Sequence, residues 1–212
     1  MKLGDIKIEA LKLMFAGYGD DMTVENLDRY LADENYKNYL VNMPGAINRC
    51  FALLENKKVL PVRSVTVEKG AMGEKFGRMH VDLALLAPDL HALFRVVTES
   101  EAGYESSESY ALEGSVLIAP MPEEEAEMRV LYYPKMERVS AVSADGGEID
   151  LPEDLACLIP YYIKSDLFRE DEPEEAEKAR VLFESALAEY KRNEPVELMQ
   201  ERVVHKMGEW WN

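Results

Sequence analysis

The residues of this chain best suited by type and spacing to chemistry are His80 and Asp82. They lie two positions apart in an alternating stretch, so on a β-strand both side chains would point to the same face. Such a pair could supply two metal ligands, or a general base and the carboxylate that orients it. His91 is the one further group that a predicted hairpin would bring near. Because the pattern fixes no third partner, we expect surface residues here and predict neither a catalytic nor a metal site.

Cys50 and Cys157 are the only cysteines among the 212 residues. Each lies in a helical pattern among apolar neighbours, and neither has the sequence surroundings that activate a thiol. We therefore predict two buried thiols rather than a disulfide, as is usual in a reducing compartment.

Three other motifs resemble known sites but lack the geometry that those sites need. The glycines of residues 70–77 lie between strands and open no helix, so they predict a hairpin tip rather than a phosphate loop. The serines of residues 106–109 lie in a Glu-rich loop rather than at a strand-to-helix elbow. The carboxylates of residues 171–177 lack the glycine turn of a calcium loop and favour a helix N-terminus. We therefore predict no cofactor.

The charge of the chain limits its partners. Lys and Arg total 24 against 41 Asp and Glu, a formal net charge of −17. Since attraction to phosphate provides most nonspecific nucleic-acid affinity, this balance argues against a DNA-binding surface. Charges are also spaced through the N-terminal segment, which predicts neither a signal peptide nor a membrane span, so we expect a soluble protein that is cytoplasmic where it is made.

The N-terminal part has apolar residues at helical spacing. One helix is predicted over residues 2–17, and a short one capped by Thr23 follows. A longer helix capped by Asp33 runs to about Asn56, with a kink or a break expected at Pro44.

The C-terminal part is also predicted to be helical. Residues 150–192 indicate two antiparallel helices joined by an acidic turn, with Asp171 as the N-cap of the second helix and Pro173 in its first turn. The final residues 194–212 are weakly helical and end in adjacent tryptophans, which either fold back or wait for a partner surface.

The middle of the chain changes from helical spacing to alternation, which predicts β-strands. The expected strands are residues 63–68, 79–85, 90–98, 110–118, 128–133 and 139–143. The second and third strands should form a hairpin turned by Pro88 and Asp89. Together these patterns predict an α+β fold. Residues 1–60 and 145–212 would form a helical body, and residues 61–144 an inserted antiparallel, β-sandwich-like subdomain.

Several short motifs in this order resemble one family, the head-tail connector (adaptor or head-completion) proteins of tailed phages. They are VLYYP at residues 130–134, IDLP at 149–152, IPYY at 159–162, DEP at 171–173 and NYLVNMPGAIN at 38–48. The last motif is similar to the second helix of that family. The resemblance covers most of the chain.

The resemblance implies a structural phage or prophage protein that is not an enzyme. It would form a homo-oligomeric ring on the portal protein, contact tail and connector proteins, and extend a channel through which DNA passes without being specifically bound. The expected location is the virion, and the host cytoplasm before assembly. Family members often dock through a C-terminal segment, which makes Met207, Trp210 and Trp211 the candidate partner-binding residues.

Two alternatives remain open. The first is a β-sandwich module that binds a carbohydrate or a peptide on a helical scaffold, with Tyr104, Tyr110, Tyr132 and Tyr133 as residues that could stack on a ligand. The second is an enzyme centred on His80 and Asp82, which would require both side chains to project into a common pocket with another titratable group.

Overall fold

The computed structural model describes residues 1–15, 22–68, 72–100, 103–106, 109–122 and 127–193. These residues form two compact units. The helical unit contains residues 1–60 and the described residues from Met136 onward, and the β unit contains residues 61–135. Helices and antiparallel strands are thus largely segregated, and the predicted α+β class is confirmed. Within the described ranges, no helix is both long and apolar enough to cross a membrane.

Seven α-helices are found in the described residues. They are α1 (Leu3–Met14), α2 (Leu27–Ala32), α3 (Glu34–Asn56), α4 (Leu83–Leu86), α5 (Glu153–Ala156), α6 (Ile159–Leu167) and α7 (Pro173–Asn193). The eight described strands are β1 (Arg63–Val67), β2 (Gly73–Lys75), β3 (Arg78–Asp82), β4 (Leu90–Ser100), β5 (Gly103–Ser106), β6 (Ala111–Glu113), β7 (Val116–Pro120) and β8 (Glu127–Pro134).

Helix α6 lies at the centre of the helical unit because it packs against α1, α3 and α7. One hydrophobic core joins all four helices through fully buried side chains, among them Ile6, Phe51, Ile163 and Phe183. Burying a side chain of this size contributes about 1.5–3 kcal/mol. Segments from before and after the β unit are therefore needed to close this core.

A kink or a break was predicted at Pro44. Helix α3 is continuous through Pro44, which excludes the break. The N-cap is Asp33, as predicted, and its carboxylate accepts a hydrogen bond from the backbone N–H of Asn35 at 2.9 Å. Proline inside a helix costs about 3 kcal/mol. Buried residues on both sides, Met43 and Ile47, hold the two halves against one core and offset that cost.

Helices α6 and α7 form the antiparallel pair that the sequence predicts. Lys164 of α6 and Glu175 of α7 form an ion pair at 2.9 Å. The rings of Tyr162 and Phe183 meet edge to face with centroids 5.3 Å apart, a favoured aromatic geometry.

The predicted capping role of Asp171 is wrong. Helix α7 begins at Pro173, so the residue that precedes it is Glu172. The carboxylate of Asp171 instead accepts a hydrogen bond from the hydroxyl of Tyr39 at 3.0 Å. The residue thus joins the turn between α6 and α7 to helix α3.

The β unit contains two four-stranded antiparallel sheets, in the orders β1-β8-β4-β5 and β2-β3-β7-β6. Both sheets contribute to a second hydrophobic core, which contains Val96 and Val130 from the first sheet and Met79, Val81 and Leu117 from the second. Two sheets that share one core form the predicted sandwich-like arrangement.

The predicted hairpin of residues 79–85 and 90–98 is wrong. Strand β3 ends at Asp82, whose carboxylate accepts a hydrogen bond from the backbone N–H of Ala84 at 3.0 Å and caps the short helix α4. Strand β4 then pairs with β5 and β8 in the other sheet. Aspartate is a strong N-cap, and here it outweighs the alternating pattern that continues through Leu85.

The single strand predicted over residues 110–118 is divided into a hairpin, β6 and β7. Gly114 lies in the turn with a φ of +63°, a backbone conformation that glycine adopts without a steric cost. The glycine was therefore the signal for this turn.

The strand predicted over residues 139–143 is not formed. Val139 is buried in the helical core and its backbone is hydrogen-bonded to the side chain of Asn48. Met136 is also buried there, so the compact β unit ends at Lys135, earlier than the predicted residue 144.

Candidate interaction site

The predicted partner-binding residues Met207, Trp210 and Trp211 lie outside the described residues.

His80 and Asp82 occupy the same face of β3, opposite to the buried Met79 and Val81. Asp82 is exposed and caps α4. His80 pairs with Gly73 on one side and Ile118 on the other, neither of which can titrate. Capping α4 is a structural role, and it accounts for the carboxylate of Asp82 without a catalytic function.

His91 is not brought to this pair across a hairpin, because it lies on β4 in the other sheet. Among the described residues, no group of three or more His, Cys, Asp or Glu side chains could hold a metal ion.

The two cysteines differ in exposure, and the prediction of two buried thiols is wrong for one of them. Cys50 is fully buried in α3, and burial raises the pKa of its thiol. Cys157 is exposed after α5, and its thiol donates to the backbone carbonyl of Asp154 at 3.2 Å. Partial desolvation raises the pKa of Cys157 as well. Both thiols are therefore poor nucleophiles at neutral pH.

Tyr132 and Tyr133 do not share one aromatic surface, because adjacent residues of a strand point to opposite faces. Tyr132 is buried, and its hydroxyl donates to the carboxylate of Asp89 at 2.9 Å. Burial, together with that hydrogen bond, raises the pKa of Tyr132. Tyr133 lies half-buried on the other face.

A β-bulge places aromatic and cationic groups beside Tyr133. The pairing of β4 with β8 is irregular between Leu93 and Arg95. The ring of Phe94 meets that of Tyr133 edge to face at 5.5 Å, and the guanidinium of Arg95 lies 5.5 Å from the Phe94 ring centroid. Bulges commonly re-aim a side chain in this way. Phe94, Arg95 and Tyr133 form a small aromatic patch on one sheet.

The tip of the β2–β3 hairpin has a conformation unusual for its residues. Lys75 pairs with Arg78, so the loop contains only Phe76 and Gly77. Their φ angles are +54° and +71°, as a type I′ turn requires at both central positions. For a bulky residue such as phenylalanine, a positive φ is a strained conformation.

Phe76 is also 93% exposed. The ammonium group of Lys75 lies 5.5 Å from the centroid of its ring. Arg78, on the other side of the turn, is exposed as well. We call residues 75–78 the hairpin tip. The glycines predict this hairpin tip, but Phe76 was not predicted. The signal for it is a bulky residue directly before a glycine in a two-residue turn.

Comparison with protein-family models gives no match, and comparison with curated protein sequences gives none either.

Proposed function

We propose that this protein is a structural head-tail connector of a tailed phage or prophage, an adaptor that rings the portal protein and extends the DNA channel. The observation that carries the proposal is the division of the chain into two cores. The two ends of the chain close one helical core around α6, and residues 61–135 fold around a core of their own. This arrangement agrees with the helical body and inserted β subdomain that the sequence predicts, and the motifs that resemble the connector family are distributed over both.

The two cores support an assembly role for a physical reason. The helical body and the β insertion each have a core of their own, so each can present surfaces to neighbouring subunits or to other components. The helical unit carries exposed apolar residues, Val41 on α3 and Val181 and Leu182 on α7, each 54–56% exposed. Such residues are available for contact with a partner.

The net charge of −17 supports the same proposal. A channel lined by an acidic protein repels phosphate, so DNA would pass through without being held.

The direct test is assembly on a portal. The protein is mixed with the portal protein encoded beside its gene, and the complex is imaged by electron microscopy. We expect a ring of this protein on the portal, and a variant lacking residues 207–212 should dock more weakly. The double substitution of Trp210 and Trp211 by alanine separates the aromatic contribution from that of chain length. A protein that stays unbound in the presence of the portal would contradict the proposal.

The genes that flank this one provide an inexpensive second test. Genes for a large terminase, a portal and a capsid protein should lie nearby.

A ligand-binding module is the second candidate, and the aromatic patch of Phe94, Arg95 and Tyr133 favours it. Aromatic and guanidinium groups stack on sugars and on planar side chains. Titration with neutral oligosaccharides and tyrosine- or proline-rich peptides, followed by Tyr133 chemical shifts, tests this candidate. Saturable shifts that are lost in Phe94→Ala would support binding, and unchanged spectra would rule it out for those ligands.

A further inference from the structure

We propose that the hairpin tip, residues 75–78, is a contact surface between copies of this chain, where Phe76 of one copy docks on an acidic surface of another. The proposal rests on the proposed connector function only in that a ring needs repeated contacts between copies. The contact itself is a property of the protein alone.

The first observation is that Phe76 violates two local preferences at once. A phenylalanine with positive φ is strained, and its ring is left in water at 93% exposure. Asparagine or aspartate before glycine would form the same turn without either cost. A residue that weakens the isolated fold in both ways is explained if the ring is buried in a complex.

The second observation is the open space around the turn. No described atom lies within 4 Å of the position where Gly77 would carry a Cβ. Every residue from Gly73 to Arg78 is exposed. Among the described strands, β2 pairs with β3 alone, so it forms one edge of its sheet. The rest of the β unit therefore leaves the tip accessible to another molecule.

The third observation is charge, and it selects the occupant. The tip combines the apolar ring of Phe76 with the cations of Lys75 and Arg78, in a chain whose net charge is −17. Its complement is an acidic surface with apolar residues, and every copy of this chain is strongly acidic. Duplex DNA is the less suitable occupant, because its surface is phosphate and sugar and offers the ring of Phe76 no apolar contact.

The arrangement predicts a head-to-tail contact rather than a symmetric one. A symmetric contact between two tips would place Lys75 and Arg78 of one copy against Lys75 and Arg78 of the other. A contact between a tip and a different patch of the next copy avoids this repulsion, and such heterologous contacts produce rings when the rotation closes.

The test places a photo-crosslinking amino acid, p-benzoylphenylalanine, at position 76 of the full-length protein. The purified protein is irradiated over a concentration series, alone and with duplex DNA. We expect a ladder of crosslinked copies that grows with concentration, weakens with added salt, and maps by mass spectrometry to an acidic segment. No crosslinked copies at any concentration would overturn the proposal, as would crosslinking to DNA instead.

Sedimentation analysis of variants provides the quantitative test. Phe76→Asn suits the turn, so its melting temperature should not fall, whereas self-association should weaken about tenfold or more. Lys75→Glu combined with Arg78→Glu should weaken it similarly. Val142→Asn, at another 93% exposed apolar residue, and Lys37→Glu are the matched controls and should leave association unchanged. If Phe76→Asn associated as strongly as the wild type, the proposal would be contradicted.

These results are separate from those of the portal test. A ring on the portal, together with no crosslinked copies and unchanged self-association of Phe76→Asn, would overturn the tip contact and leave the connector function standing. Crosslinked copies together with no portal binding would support the tip contact and contradict the connector function.

Discussion

The side-chain amide of Asn48 forms two hydrogen bonds with the backbone of Val139. Its Nδ2 donates to the Val139 carbonyl at 2.7 Å, and the Val139 N–H donates to its Oδ1 at 2.9 Å. One side chain on α3 thus satisfies both polar groups of a buried residue, as a neighbouring strand would. Glu55, which also lies on α3, accepts a hydrogen bond from the backbone N–H of Met136 at 2.7 Å. These contacts hold the segment that follows the β unit.

Asn48→Ala should destabilise the helical unit by about 2–3 kcal/mol. Each lost hydrogen bond contributes about 1 kcal/mol, and the polar groups of the buried Val139 are left without partners. Urea unfolding followed by circular dichroism measures the change. Asn42→Ala is the control, because Asn42 is exposed and its side chain donates to the Asn38 carbonyl within the same helix. An equal loss of stability in both variants would contradict the assignment.

Gly4→Ala and Gly45→Ala should change stability in opposite directions. Both glycines lie in helices, where alanine is favoured by about 0.5–1 kcal/mol. A Cβ at Gly4 would lie 2.8 Å from Val24 Cγ1 and 3.1 Å from the Asp145 carbonyl oxygen, so overpacking of about 1–3 kcal/mol should exceed that gain.

At Gly45 the nearest atom to the new Cβ is Arg49 Nη1 at 3.3 Å. A shift of a few tenths of an ångström relieves this contact, and Nε and Nη2 of Arg49 can keep their hydrogen bonds to Asp166 during so small a shift. Thermal unfolding of the two variants checks the prediction. A lower melting temperature for Gly45→Ala than for Gly4→Ala would contradict the predicted difference in packing around the two glycines.

Glu175 should make stability depend on pH in the acid range. Hydrogen bonds and charges from Lys178 and Lys164 lower its pKa from 4.5 to about 2. Because the folded pKa is lower than the unfolded one, the stabilisation is complete above pH 4.5. It is lost as the pH falls to about 2.

The difference in unfolding free energy between the wild type and Glu175→Gln isolates this carboxylate from others that titrate nearby. It should be constant above pH 4.5 and decrease steadily below it. Lys164→Met, which removes the link between α6 and α7, should reduce the effect. A difference that does not vary with pH would contradict the role of the two lysines.

The two thiols should react with a disulfide reagent at very different rates. Cys157 is exposed and should be labelled first, although its raised pKa makes it slower than an unfolded cysteine. Cys50 should react only when the helical unit opens, because its side chain is fully buried. In Cys157→Ser the fast phase should disappear. A fast phase that persists in this variant would place Cys50 at the surface.

Apolar periodicity correctly predicted the elements whose buried residues follow a single period, either helical spacing or strand alternation. The face of α1 around Ile6 and the alternation around Val130 in β8 each report directly on a core. The α+β class followed from the change of period along the chain.

The mistakes arose where a single polar or glycine residue outweighs a pattern. Asp82 ends a strand that alternation would have extended, Gly114 divides another, and Asn48 supplies Val139 with the hydrogen bonds that a strand partner would have provided. Such effects depend on one hydrogen bond or one φ angle and not on a period. Pairing between β4 and β8 also joins distant residues, and local spacing contains no information about it.

The central position of α6 has a consequence for synthesis of the chain. The ribosome completes residues 61–135 before it makes α6, so the β unit can fold while α1 and α3 still lack the helix that covers them. Their apolar faces must wait, exposed or held by a chaperone, until Ile159–Leu167 and α7 emerge. A chain that stops after Lys135 would therefore have a folded β unit joined to helices that have no core, and it should aggregate.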